Sequence, residues 1–209
     1  MLVVAVLAIV AVVASLRSGT DPTAPSTTAF RTRIVTAAES QLGYQTDPSH
    51  SYCNKYSAYW QVGTECGGGL RSEEWCADFA AWVWHQAGAV FTYSFATGDI
   101  NSGAGSFYTW AVAHDTWHPV GDGYQPRPGD VAVYGLDLTT GSADHVAVVT
   151  SDTPGERGPD VINGDGDRTA FSIVEAGTDQ FKADAPGGPA PLAGYASPIA
   201  PSAATGTGD

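Results

Sequence analysis

The stretch EEWCADFAAWVWHQAG, residues 73–88, constrains this chain more than any other. Ser72 is a candidate N-cap, Glu73 and Glu74 favour the positive end of a helix, and Gly88 supplies a stop, so the spacing predicts a helix over 73–87. Positions 76, 80, 83 and 87 share one face, yet Phe79, Trp82 and Trp84 make the other faces apolar too. A helix hydrophobic on most sides is expected to be buried inside a domain.

Around it the hydrophobic period changes along the chain. Phe30, Ile34, Ala38 and Leu42 recur every four residues, with Val35 beside them, and mark an earlier amphipathic helix ended by Gly43. Residues 44–70 carry Pro48, Asn54 and four glycines without sustained periodicity and read as ordered loop or short turns. SFYTWAVAHDTW predicts a third short helix; VAVYGL, HVAVVTS, DVING and FSIVEAG then read as strands separated by turns. Helices first and strands after them predict an α+β domain with N-terminal helices packed on an antiparallel sheet. The tail from Ala185, rich in Pro, Ala and Gly, holds one candidate strand at GYASP, with disorder expected over 200–209.

The chain has 209 residues, which suits one domain with flanking segments. MLVVAVLAIVAVVASL is apolar with no charge before Arg17, and SGTDPTAPSTT then turns polar. The run is short for a span of ~20 residues, so 1–26 is expected to be a signal peptide or an uncleaved membrane anchor with a polar linker, and 27–199 the domain, acting outside the cytoplasm. Nine Lys and Arg against 22 Asp and Glu give a formal charge of −13, which opposes binding to nucleic acid or anionic lipid. A monomer is expected, with membrane contact only through such an anchor.

Thiols outside the cytoplasm tend to pair, and this chain has three: Cys53, Cys66 and Cys76. Cys53 and Cys66 bracket NKYSAYWQVGTE and precede Gly67, Gly68 and Gly69, a flexible frame in which they can meet, leaving Cys76 free. A Cys66–Cys76 bridge is the alternative.

A free cysteine at a helix start is a candidate nucleophile, because the N-terminal end of a helix or a nearby imidazolium favours the thiolate. It needs a base. Of the five histidines, His85 lies nine residues along the same helix and points elsewhere, His50 is in the loop, and His114 and His118 flank a helix end. His145 opens a strand of the sheet, where its ring direction can be fixed, and is the candidate base. VINGDGD offers Asn163, Asp165 and Asp167 as groups to orient that imidazole if the two strands are neighbours, Asn163 first and Asp165 second. Zincin, zinc-deaminase, serine-hydrolase and nucleotide motifs have no match, and no metal or cofactor is expected. NGDGD could hold calcium, but it lacks the glycine and distal glutamate of an EF-hand loop, so an ordinary turn is the preferred reading.

The ordered set NKYSAYW, EEWCADFAAWVWHQAG, RPGDVAVYG, ADHVAVVTS and VINGDGD resembles the CHAP family of cysteine, histidine-dependent amidohydrolases and peptidases, within the wider NlpC and papain-like group, over about residues 30–199. The resemblance implies a papain-like α+β fold with the nucleophile at the head of a helix packed on an antiparallel sheet that carries the histidine. It implies cleavage of a peptidoglycan amide, either between muramic acid and the stem peptide or within the stem and cross-bridge. Position by position it puts the nucleophile on Cys76, the base on His145 and the orienting group on Asn163. Many members have Glu there and Asn two positions on, where this chain has Asp165. Oxyanion donors are expected to include the Cys76 N–H, with Tyr56 as a further candidate. A catalytically silent surface module that binds glycan or peptide, and an acyltransferase on the same fold, are the competing functions.

Overall fold

A helix that is apolar all round needs a cover on every side, and the chain supplies it from both of its ends. The computed structural model describes residues 27–49, 51–151, 160–165, 175–178 and 190–202. The candidate leader at 1–26, His50, Asp167 and residues 203–209 lie outside these.

Helix α1 (Thr27–Glu39) buries Phe30, Ile34 and Ala38, as its four-residue stripe predicts. Leu42, assigned to the same stripe, is 46% exposed: the helix stops at Glu39, and the following turn, with Gly43 at φ +83°, carries Leu42 away from the core. Arg31 on α1 is buried and makes an ion pair with Asp130 at 2.8 Å. Such a carboxylate is tolerable only when its lone pairs are used. Ser197 Oγ, Tyr124 Oη and the Arg127 N–H also donate to Asp130, each at 2.8 Å, so the carboxylate ties α1 to residues 124–127 and to Ser197.

The segment 44–70, expected to be loop, contains regular structure. Strand β1 (Cys53–Asn54) leads into helix α2 (Lys55–Trp60), followed by β2 (Thr64–Gly67) and β3 (Leu70–Ser72), which form a small sheet in the order β1-β3-β2. Asn54 caps α2: its Oδ1 accepts from the N–H groups of Tyr56 and Ser57 at 2.9 and 2.8 Å. The expected Cys53–Cys66 disulfide joins β1 to β2, and Cys76 is free.

Helix α3 (Cys76–Ala87) is the apolar helix, and it begins three residues later than its sequence predicts. Ser72 is not its cap: it lies in β3, paired with Cys53 and Thr64. Gly88 closes the helix as expected, in the left-handed conformation at φ +82°. Helix α4 (Ser106–Ala113) follows, then the strands β4 (Trp117–Pro119), β5 (Val131–Tyr134), β6 (His145–Ser151), β7 (Asp160–Asn163), β8 (Glu175–Thr178) and β9 (Leu192–Ala196).

These six strands form an antiparallel sheet in the order β4-β9-β5-β6-β7-β8. Alternation sorts its side chains. Val131, Val133, Val146, Val148 and Ile162 join the core built on α3, while Ala132, Tyr134, Ala147, Val149 and Val161 form a second cluster with Tyr195. The fold is therefore α+β, helices on an antiparallel sheet. The proline-rich tail holds its strand where GYASP suggests one, starting two residues earlier: β9 lies between β4 and β5, and its Tyr195 and Ala196 are buried.

Candidate active site

Cys76 is the first residue of α3 and is 7% exposed. Behind it the helix head is fixed by aromatic packing. Trp75, fully buried, stacks on Tyr56 with ring centroids 5.3 Å apart and meets the edge of Tyr44 at 5.9 Å. Two residues after Cys76, Asp78 is fully buried and accepts from Ser57 Oγ at 2.6 Å and Tyr93 Oη at 2.5 Å. Ser57 in turn accepts from Asn54 Nδ2 at 2.9 Å, so α2 is hydrogen-bonded to the first turn of α3.

His145 is the first residue of β6 and is 2% exposed. In the β6–β7 register Val148 stands opposite Ile162, so one step along Asn163 stands opposite Ala147, diagonal to His145. Diagonal neighbours on one face of a sheet are within reach of long side chains. Accordingly His145 Nε2 lies 3.0 Å from Asn163 Oδ1. A carbonyl oxygen can only accept, so Nε2 carries the proton and Nδ1 is the basic nitrogen of the neutral ring.

The thiol meets this strand at its start. The Val146 N–H, from the residue next to His145, is in hydrogen-bonding reach of Cys76 Sγ, as is the Ala77 N–H. Burial nevertheless dominates and pushes the thiol up to about 12, with the charge of Asp165 next in effect; the Val146 N–H opposes the rise, Asp78 adds to it and Ala77 opposes it. Position at a helix N-terminus was expected to favour the thiolate, but desolvation outweighs the helix end here. Ionisation of this sulfur then depends on handing its proton to a neighbouring base.

Asp165, the second choice to orient the imidazole, goes elsewhere. Its Oδ2 accepts from the Trp75 N–H at 3.1 Å, at the head of α3. Trp75 is the N-cap residue of α3 but its side chain makes no capping bond, and an acceptor 90 residues away leaves no local signal. Gly164 between Asn163 and Asp165 lies flush against Phe79, so the end of β7 presses on α3. With Asn163 on His145 and Asp165 on Trp75, two of the three polar side chains of NGDGD are engaged with protein groups, and the third, Asp167, lies outside the described residues. Among the described residues no group of three His, Cys, Asp or Glu is arranged to hold a metal.

The remaining candidates are placed away from this chemistry. Tyr56 donates its hydroxyl to Gln41 Oε1 at 3.0 Å. His85 packs beside Tyr59 and Trp60, His114 Nδ1 lies 2.7 Å from the Trp110 carbonyl, and His118 stacks on Tyr124. The chain of Asn54, Ser57 and Tyr93 around Asp78 was not anticipated. Only Asn54, standing just before a short apolar run, offered a signal for it.

No curated protein matches the chain. Among solved structures it is similar to NlpC1 from Trichomonas vaginalis, with a TM-score of 0.43 and 11% identity over 80% of this chain. The chain spans 43% of the length of that protein. The family model of the CHAP domain matches residues 67–163, from the end of β2 through α3, β5 and β6 to the last residue of β7. The segment that matches the CHAP domain model holds Cys76, His145 and Asn163.

Proposed function

We propose that this chain is an extracytoplasmic peptidoglycan hydrolase that cleaves an amide bond with Cys76 as nucleophile, His145 as base and Asn163 as its orienting group. The observation that carries the reading is the 3.0 Å contact of His145 Nε2 with Asn163 Oδ1, which leaves Nδ1 basic on a strand whose next residue, Val146, acts through its N–H on the free Cys76 thiol. In this reading His145 takes the thiol proton and the thiolate adds to the amide carbonyl carbon. The C–N bond breaks as His145 returns the proton to the leaving amine, giving a thioester on Cys76. Water then attacks that thioester, losing a proton to His145, and the C–S bond breaks to release the acid and restore the thiol. The N–H of Cys76, at the head of α3, is an oxyanion donor without an intrahelical partner.

The Cys53–Cys66 disulfide and the apolar segment at 1–26 support action outside the cytoplasm. Among the described residues no helix is long and apolar enough to cross a membrane. One observation favours the silent-module reading instead: the thiol is buried and pushed towards its neutral form. Purified protein incubated with insoluble peptidoglycan, alongside Cys76→Ala and His145→Ala, separates the two. Clearance by the wild type and its loss in both folded variants is the expected result. Equal clearance by the variants removes the catalytic assignment. Mass analysis of the fragments then distinguishes an amidase from an endopeptidase.

A further inference from the structure

A cavity of about 550 Å³ opens where the start of α1 meets the segment ahead of β5 and the far end of β6, and Thr27, Thr28, Arg31, Thr32, Arg127 and Thr150 line it. β6 opens with His145 and reaches the cavity at Thr150, about 17 Å further on at ~3.4 Å per residue. The cavity therefore lies apart from the thiol site.

Arg31 carries the argument for a ligand. Its side chain is 10% exposed, and among the described residues each of its hydrogen bonds leaves from Nη1: to Asp130 Oδ1 and the Pro128 carbonyl at 2.8 Å, and to the Arg127 carbonyl at 3.5 Å. Its Nε is buried and has no partner. Buried N–H groups are nearly always bonded, so an orphan on a guanidinium calls for an acceptor that the protein does not supply. Nε and Nη2 form the edge with which an arginine grips a carboxylate or phosphate through two parallel bonds.

The surrounding charges select an anion. Asp130 offsets one of the two guanidinium charges at the cavity, and the exposed Arg127, whose Nε donates to Tyr124 Oη at 3.2 Å, supplies the other. No acidic residue lines the cavity, and none stands in the first turn of α1, whose N-terminal end favours negative charge. Thr27 and Thr28 add hydroxyl donors at that end. On a chain of formal charge −13 most of the surface repels anions, so binding here is local and depends on these groups.

We propose that this cavity is an oxyanion-binding site, in which the free edge of Arg31 takes the carboxylate or phosphate group of a ligand and Arg127 completes the charge balance. A volume of about 550 Å³ exceeds a bare ion and suits a small organic acid, the end of a peptide or a phosphate ester. The site stands on α1 and the far end of β6 and is independent of the thiol mechanism.

The test is calorimetric titration of the full chain at low ionic strength with two probes, N-acetylalanine for a carboxylate source and glycerol phosphate for a phosphate source. At least one probe binds saturably with one equivalent per chain, and the tighter of the two identifies the source. In parallel NMR titrations the arginine Nε–H resonance that is missing from Arg31→Lys moves with saturation. Arg31→Lys keeps a cation for Asp130 but has no second edge, and it weakens binding by about tenfold. If Arg31→Lys loses its near-ultraviolet circular dichroism, Arg127→Gln, at an exposed position, takes its place and is read in the same way. Failure of both probes to bind the wild type, or an affinity unchanged in the folded variant, overturns the proposal. Neither result depends on peptidoglycan clearance, so the site and the catalytic assignment stand or fall separately.

Discussion

Gly164→Ala is the smallest change that reaches every part of the proposed site. An ideal Cβ on Gly164 falls 2.4 Å from Phe79 Cβ, 2.6 Å from Cγ and 2.7 Å from Cδ1. Carbon atoms settle at about 3.5–4.0 Å, so the end of β7 and α3 must part by about 1 Å. Phe79 cannot rotate clear, because the nearest atom is its own Cβ, fixed to the backbone of a fully buried residue. Gly164 joins Asn163 to Asp165, and a retreat of that size stretches the His145–Asn163 contact from 3.0 Å to about 4 Å, beyond a hydrogen bond. Misplacement of about 1 Å costs on the order of 100-fold in rate, and overpacking costs about 1–3 kcal/mol of stability. Initial rates of peptidoglycan clearance, read beside thermal unfolding, measure both. Gly43→Ala is the control: an added Cβ there meets nothing within 4 Å, although φ +83° strains it, so stability falls and rate does not. A folded Gly164→Ala protein with the wild-type rate refutes the reasoning.

Three further outcomes concern stability. Cys76 is raised from 9.0 to about 12, so its contribution is complete below pH 9 and is lost as pH rises towards 12; three units correspond to about 4 kcal/mol. Denaturant titrations at rising alkaline pH should show the wild type losing more stability than Cys76→Ser. Asp78 is raised from 3.8 to about 6, chiefly by burial, against the Ser57 and Tyr93 hydrogen bonds. Its contribution is full below pH 3.8 and falls through pH 6 by about 3 kcal/mol, a slope that Tm measurements should find flattened in Asp78→Asn. The Cys53–Cys66 loop has a sequence separation of 13, so replacing both residues with Ala should cost about 3 kcal/mol in urea unfolding.

How much was legible in the sequence follows how local each cause is. HVAVVTS gave β6 at its observed bounds, because a β-branched run between turns specifies a strand by itself. The free Cys76 and the Cys53–Cys66 bridge followed from an odd count and a glycine-rich frame. The start of α3 did not: the local rule nominated Ser72, whereas β3 takes Ser72 and the group that meets the head of α3 arrives as Asp165 from 90 residues away. In the same way α2 is too short for periodicity to register and depends on Asn54 and the small sheet. GYASP showed β9 only as a candidate in a Pro-, Ala- and Gly-rich stretch, because its order comes from β4 and β5 on either side. The contact of His145 with Asn163 was readable only on the condition that their strands pair, and the register decided it.

The most direct measurement of the thiol mechanism is a search for its covalent intermediate. Wild-type protein mixed rapidly with a soluble muropeptide, quenched in acid and mapped by mass spectrometry, should carry the substrate acyl group on Cys76 and on no other residue, with none in Cys76→Ala or His145→Ala. Turnover of the muropeptide by Cys76→Ala at the wild-type rate, or an acyl group found elsewhere while Cys76 stays unmodified, contradicts it.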